Sequence, residues 1–422
     1  MFNTFQEAVT WIENAHRFGE KLDLVRMNLA CRLLNHPEKT FRSIHVAGTN
    51  GKGSTTNFIK NILYDAGYQV GIYTSPYVVK FNERIGINNE FISDEEVVYY
   101  ANILKDLWDQ VYQNYQDSIT FFEILTLMAF LYFRDKNIDI AVVEVGLGGL
   151  LDATNVIDPM ISVITNISYD HMKQLGNTLE SIALNKLGIV KQNRPLVTTE
   201  DNPNLKGLFE KTCNEKNSQL IMINPEDISE IKVGITTEFM FQQTRYRLNL
   251  TGLHQIKNAS LAIMCVDTLN RMKEITVNER NIYQGLLNTK WPGRFEIFRQ
   301  NIVLDGAHNI GGIESLVSSL KLVYADYKIK CLFCMMHDKE HYKIINELDT
   351  LVDEFHFTQI DYHRSATAQE LYDESHSSNK FQHADAIKAF NALTETLKEN
   401  EVLVITGSLY FVSYIRPYLL KL

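Results

Sequence analysis

Between Phe41 and Gly67 the chain runs from an apolar stretch, FRSIHVA, through Gly48, Thr49, Asn50, Gly51, Lys52, Gly53 and Ser54, into a helical pattern, TTNFIKNILYDAG. Few orders of residue constrain a fold as tightly. The strand must open into a turn whose glycines let main-chain N–H groups face one centre, and the helix that follows adds the positive end of its dipole. These parts make a phosphate cradle centred on Gly51, Lys52, Gly53 and Ser54, with Lys52 reaching terminal phosphates and the Ser54 hydroxyl able to hold magnesium. A triphosphate is its natural guest. Val46 stands where the common phosphate-loop pattern has glycine, and Gly53 separates the lysine from the hydroxyl, so the spacing belongs to a subclass. A ligand-free strand-to-helix turn is the alternative, and three glycines flanking a lysine and a hydroxyl weigh against it.

A length of 422 residues exceeds one ordinary core and predicts two domains. A net charge of −10, without blocks of like charge, argues against nucleic acid as a partner and leaves small molecules. The five cysteines, Cys31, Cys213, Cys265, Cys331 and Cys334, are odd in number and scattered, which suits a reducing cytoplasm better than a disulfide framework. Cys331 and Cys334 form a CxxC inside the apolar run KIKCLFCMM, where strand alternation sends them to opposite faces and predicts two core thiols. The first residues lack the apolar core of a signal peptide. The run from Leu127 to Phe133 is far too short to span a bilayer, so no membrane association is expected.

Periodicity predicts amphipathic helices over 3–17 and 23–35, then the phosphate-loop strand and helix. QVGIY (69–73) reads as a strand ending at Thr74, Ser75 and Pro76, which puts Ser75 at the carboxyl edge of a sheet, where open α/β sheets bind ligands. A helix is predicted over 94–115, with Ser93 and Glu96 as a capping box, and another over the apolar 120–135. IDIAVVEV (138–145) reads as a central parallel strand. Glu144 interrupts its apolar run just before Gly146, Gly148 and Gly149, as a metal ligand or as the partner of a buried lysine. ISVITNI (161–167) leads to Asp170 and His171 at the same edge, where His171 could meet magnesium or phosphate, or simply be solvated. The helix predicted over 179–191 carries Lys186 and Lys191, for which a solvated face is the default. Residues 196–250 read as further strands and short helices, and 253–269 as a helix starting with His254, Gln255 and Asn258. Trp291, Pro292 and Gly293 break the pattern near Lys290, giving domains 1–292 and 293–422, the second a smaller alternation of strands and helices.

With these residues in view the chain resembles the folylpolyglutamate synthase and dihydrofolate synthase family, a branch of the Mur ligase superfamily. The stretches that carry the resemblance are HVAGTNGKGS (45–54), YTSPYVVKFNERI (73–85), TFFE (120–123), EVGLGGLLDATNV (144–156), ITNISYDH (164–171), GNTLESIALNKLGIVK (176–191), LHQIKNA (253–259), WPGRFE (291–296) and LDGAHN (304–309). The resemblance implies an α/β fold: a P-loop ATPase domain with a mainly parallel sheet, then a smaller Rossmann-like C-terminal domain, with the active site in the cleft between them. It also implies ATP-dependent addition of L-glutamate to a folate or dihydropteroate through an acyl phosphate, in a cytoplasmic monomer. Gly51 to Ser54 would bind ATP phosphates, completed by Asn258, Arg294 and Asp305. Ser75, Glu144 and His171 match magnesium ligands, and two magnesium ions are implied. Lys52, His308 and Lys186 would be catalytic, with Lys186 carrying a carbamate near the second metal. The pteroate site would draw on Thr120, Phe121, Phe122, Glu123, Leu151, Asp152 and Ala153; adjacent phenylalanines on a helix are equally ordinary core residues.

Tyr77 stands where the family usually has histidine, Leu150 where it has arginine, and Asn185 and Leu187 flank Lys186 where glutamate and alanine are usual. None of these removes a phosphate or metal group. Losing the arginine fork at position 150 is expected to weaken contact with an anionic substrate. Two alternatives share parts of the pattern: a different Mur-type amide ligase, which FNERI, TFFE and LDATN disfavour, and a P-loop ATPase switch, which needs neither three metal-edge residues nor a second α/β domain.

Overall fold

A computed structural model describes residues 1–16 and 23–421. The chain divides into two compact units, Met1–Asp227 with Asn258–Leu286, and Ile228–Lys257 with Leu287–Leu422.

In the first unit the strands are β1 (Arg42–Ala47), β2 (Val70–Tyr73), β3 (Ile85–Ile87), β4 (Glu90–Phe91), β5 (Ile140–Glu144), β6 (Ile161–Ile164), β7 (Leu196–Thr198) and β8 (Leu220–Met222). Among the described residues they form one sheet in the order β4-β3-β2-β5-β1-β6-β7-β8, parallel from β2 to β8 with β3 and β4 added antiparallel at one edge. β1 and β5 lie centrally and are buried on both faces apart from Arg42, which is why their sequences are continuous apolar runs rather than alternating ones. The helix Phe121–Asp135 is buried from Glu123 to Phe133, packed between the sheet and the helices Phe5–Asn14 and Asp94–Tyr115. A helix covered on every side has no polar stripe. The Ser93–Glu96 capping box is present at the start of Asp94–Tyr115.

Boundaries differ from the periodicity at three helices. The first helix is Phe5–Asn14, and position 17, which the pattern includes, lies outside the described residues; the second is Val25–Leu33. The helix expected to reach Lys191 stops at Leu187. Gly188 follows, and a Cβ there would collide with the Leu150 main chain, so the loop after β5 lies directly against the helix end.

Lys60 on the helix Lys52–Asp65 is buried, and its ammonium donates to Asn89 Oδ1, a neutral acceptor, at 2.9 Å. Burial pushes this amine down to about 8 from its ordinary 10.5. Between those values the unfolded chain holds a proton that the folded chain has lost, so stability rises with pH across that window, and below about 8 the penalty is fully present. Lys60→Met is therefore expected to stabilise the protein at pH 7 by on the order of 2–3 kcal/mol and to flatten the rise in alkali. Denaturant unfolding of both proteins at pH 7 and 10 tests this, and a variant that keeps the wild-type pH slope rejects it.

The second unit contains an antiparallel sheet, β11-β10-β9, built from β9 (Ile228–Val233), β10 (Thr237–Phe241) and β11 (Thr244–Leu248). It also contains β12 (Glu296–Phe298), β13 (Ile302–Leu304), β14 (Lys328–Phe333), β15 (Glu354–Thr358), β16 (Lys380–His383) and β17 (Glu401–Thr406), in the order β12-β13-β17-β14-β15-β16. All neighbours in that sheet are parallel except β12 with β13. Arg416 grips Glu296 with two nitrogens, the closest contact 2.8 Å, and so fixes the segment that turns into β12. Cys331 lies on β14 and Cys334 just past its end, both buried free thiols, in keeping with core positions.

Candidate functional site

The phosphate loop emerges from the carboxyl end of β1, and its helix begins at Lys52, with Gly51 as the N-cap at φ 85°. Only glycine fits two of its positions. At Gly51 a Cβ would collide with Asn258 Oδ1, and at Gly48, φ 143°, it would collide with Thr165 Oγ1. The loop is held by the segment after β6. Asn166 accepts the Asn50 N–H through Oδ1 at 3.0 Å and the Thr49 N–H through its carbonyl at 2.9 Å, while Thr165 Oγ1 donates to the Asn50 carbonyl at 2.5 Å. Thr49 Oγ1 also accepts the Ser168 N–H at 3.0 Å. Sequence reasoning assigned these residues no role. The polar TN following an apolar strand was the available signal.

Lys52 Nζ donates to the carbonyls of Gly48 and Thr49, each at 3.1 Å. Lys186 Nζ donates to the same Gly48 oxygen at 2.8 Å. Lys186 is 4% exposed, which overturns the default of a solvated helical lysine. Burial, reinforced by the charge of Lys52, pushes its amine down to about 7, while Asp170 and Asp152 pull the other way. Two amines from different elements thus meet at one carbonyl beside the loop. Ser54 is buried in the helix's first turn, and Gly53 precedes it.

Glu144 ends β5 and is 4% exposed, and the Ser75 N–H, just past β2, donates to its Oε2 at 3.2 Å. His171, at φ 50°, keeps a half-exposed imidazole whose Nε2 lies 3.8 Å from Asp170 Oδ2. Ser75, Glu144 and His171 lie at or just past the carboxyl ends of β2, β5 and β6, and of their side chains the two oxygen donors are the ones suited to magnesium. Among the described residues no three His, Cys, Asp or Glu side chains form a ready-made metal cage.

Thr120 caps the helix Phe121–Asp135 in a box with Glu123, whose carboxylate also takes Arg26 at 3.1 Å. Phe122 packs on Tyr73, ring centroids 5.7 Å apart, and fills the space a Cβ on Gly146 would need. Phe121 lies under Arg84, whose guanidinium is 5.5 Å from its ring and 5.0 Å from that of Tyr77. Both phenylalanines are half-buried, so each packs on the core and still presents ring surface. Tyr77 supplies an aromatic face to a buried cation, which accounts physically for an aromatic at that position. In the loop after β5, Leu150 and Leu151 are exposed while Asp152 and Ala153 are buried. The Leu150 N–H is tied to the Asn185 carbonyl at 2.7 Å.

In the second unit, Asp305 receives the N–H groups of Phe295 and Ala307, both at 2.8 Å; burial raises its carboxyl and Arg294 opposes that. His308 Nδ1 lies 2.8 Å from the Gly306 carbonyl and so carries the hydrogen. Burial, with Arg294, pushes His254 down to about 4.

Residues 46–266 match the Mur ligase middle domain and 293–409 the Mur ligase glutamate ligase domain. The dihydrofolate synthase/folylpolyglutamate synthase of Bacillus subtilis is 38% identical, over 99% of this chain and all of that protein. The chain belongs to the folylpolyglutamate synthase and dihydrofolate synthase family. Within that family, the solved folylpolyglutamate synthase of Thermotoga maritima is 33% identical and superposes with a TM-score of 0.85 over 99% of this chain and 97% of that one. A solved FPGS–AMPPCP–folate complex is 31% identical with the same TM-score, covering 99% of this chain and all of that one. The mainly parallel sheet with a separate C-terminal α/β unit is the fold of these enzymes. No described helix is long and apolar enough to cross a membrane.

Proposed function

We propose that the protein is an ATP-dependent ligase that joins L-glutamate to a folate. The observation that carries this reading is the convergence of Lys52 and Lys186 on the Gly48 carbonyl, inside a glycine loop with no room for side chains at Gly48 or Gly51. Main-chain N–H groups at the start of the helix Lys52–Asp65 would bind ATP phosphates, and Lys52 would leave its loop carbonyls for the terminal phosphate. Asn258, Arg294 and Asp305 would complete the nucleotide site. The folate carboxylate would take the γ-phosphoryl group, the glutamate amine would displace phosphate from the acyl phosphate, and ADP and phosphate would leave. His308 donates from Nδ1 to the Gly306 carbonyl, and would serve a phosphate oxygen only as an imidazolium with a second hydrogen on Nε2. Thr120 to Glu123 and Leu151 to Ala153 would take the pteroate.

Ser75, Glu144, His171 and Ser54 would hold magnesium, two ions in all; when bound, these neutralise charge on the transferring phosphate. Lys186, with its amine near 7, has a reactive neutral fraction at physiological pH. Its nitrogen can add to the carbon of CO2 with loss of a proton, giving a carbamate anion for the second ion. A monomer in the cytoplasm completes the reading, and the five buried free thiols suit that reducing compartment.

Phosphate release from ATP should require both a folate and L-glutamate, and release with neither added points to a switch ATPase instead. Assaying dihydropteroate beside tetrahydrofolate decides whether both activities named for the Bacillus relative are present.

Glu144→Gln is expected to lose at least about 100-fold in turnover, with little restored by excess magnesium, because a buried carboxylate at a strand end is sustained by a cation that an amide cannot replace. A variant that melts early yet keeps normal activity per folded molecule would make the acid structural.

A further inference from the structure

The loop after β5 rests on a buried relay in which two members, Thr154 and His45, have no role in the site described so far. Asp152 is 6% exposed, Thr154 and His45 are fully buried. The Thr154 hydroxyl donates to Asp152 Oδ1 at 2.5 Å and the Thr154 N–H to the same oxygen at 3.1 Å. The Leu147 N–H donates to Oδ2 at 2.8 Å, and the Gly146 N–H also supports the carboxylate. A hydroxyl has one hydrogen. Having given it to Asp152, the Thr154 oxygen can only accept in its 2.8 Å contact with His45 Nε2. Nε2 therefore carries the imidazole hydrogen and Nδ1 is bare. Nδ1 is buried without a partner, which a neutral ring tolerates far better than a charged one with a second N–H to satisfy. Burial, with Lys191 nearby, also holds this histidine down to about 3. The relay runs in one direction, from imidazole N–H to hydroxyl to carboxylate.

We propose that His45 and Thr154 are positioning residues for the folate: they fix the Asp152 carboxylate, which in turn folds the Gly146–Ala153 loop that receives the substrate. Four donors hold that carboxylate in one orientation, and with it the loop that carries the pteroate contacts proposed for Leu151 to Ala153. His45 sits on β1 three residues before Gly48, so one strand anchors the substrate loop and launches the phosphate loop. This rests on the folate reading of that loop.

The test is steady-state kinetics of Thr154→Val, which keeps the shape and deletes the hydroxyl, beside Thr154→Ser, which keeps the hydroxyl. Thr154→Val should raise the KM for folate about tenfold while the KM for ATP and kcat stay within about twofold, and Thr154→Ser should recover most of the loss. If Thr154→Val does not fold, His45→Leu against His45→Gln makes the same comparison, the glutamine amide restoring a donor near Nε2. Equal rises in both KM values, an unmoved folate KM, or a serine or glutamine variant as impaired as its apolar counterpart overturns the inference. A wild-type enzyme with no folate-dependent turnover overturns the folate reading, and the inference with it.

Discussion

Lys52→Ala is expected to abolish turnover, lowering kcat by about a thousandfold or more, in a protein that still folds. The Lys52 amine donates to two carbonyls of its own loop at 3.1 Å and packs no core, so its removal costs the fold little. What it removes is a positive charge placed where negative charge grows during phosphoryl transfer, and transfer of this kind depends almost wholly on placement and charge neutralisation. Lys52→Arg should recover little, because a planar fork does not fit a position built for a compact ammonium. ADP formation by each variant, with circular dichroism to confirm folding, gives the answer; unchanged turnover of the alanine enzyme would dismiss the phosphate-cradle reading.

The second large effect concerns Lys186. Lys186→Ala should be nearly inactive, losing about 100-fold or more in turnover, and high acetate should restore part of it by placing a carboxylate where the proposed carbamate would stand. The site favours the chemistry: burial and Lys52 together hold the amine near 7, and only the neutral amine reacts with CO2. The sign of the pH effect follows. Below about 7 the amine is protonated and the modification should fall away, so turnover in CO2-depleted buffer should decline most steeply on the acid side and recover with added bicarbonate. Because Lys186 also donates to the Gly48 carbonyl, Lys186→Met serves as the control for volume. A methionine enzyme that acetate rescues as well places the loss in the missing anion; an alanine enzyme with wild-type rate returns Lys186 to a structural part.

Much of the architecture could be read before any coordinates. The helices at 94–115 and 120–135, the buried strands around Ile44 and Val142, and the start of the helix at Leu253 follow from apolar period, capping residues and glycines, because these signals act within a few residues. Residue chemistry at the site was legible in the same way: glycines, a lysine, a hydroxyl, an acid at a strand end. What sequence could not supply was distance across the sheet. Lys186 sits in a stretch whose period permits a solvated face, and only the fold brings its amine to Gly48, 138 positions earlier. Thr154 reads as an ordinary small polar residue until His45 is found against it, 109 positions away. The close approach of Gly188 to the Leu150 main chain is likewise something no local pattern contains.

The strand order has a consequence for how the molecule is made. β1 is complete by Ala47, but its two neighbours in the sheet are β5 and β6, so on a ribosome it waits for about a hundred further residues before pairing on either side. The braces on Thr49 and Asn50 come later still, from Thr165 to Ser168. A nascent chain halted before Ile161 would therefore display the entire glycine and lysine motif and bind no nucleotide. Until β5 has been made, its unpaired apolar β1 would be a client for chaperones.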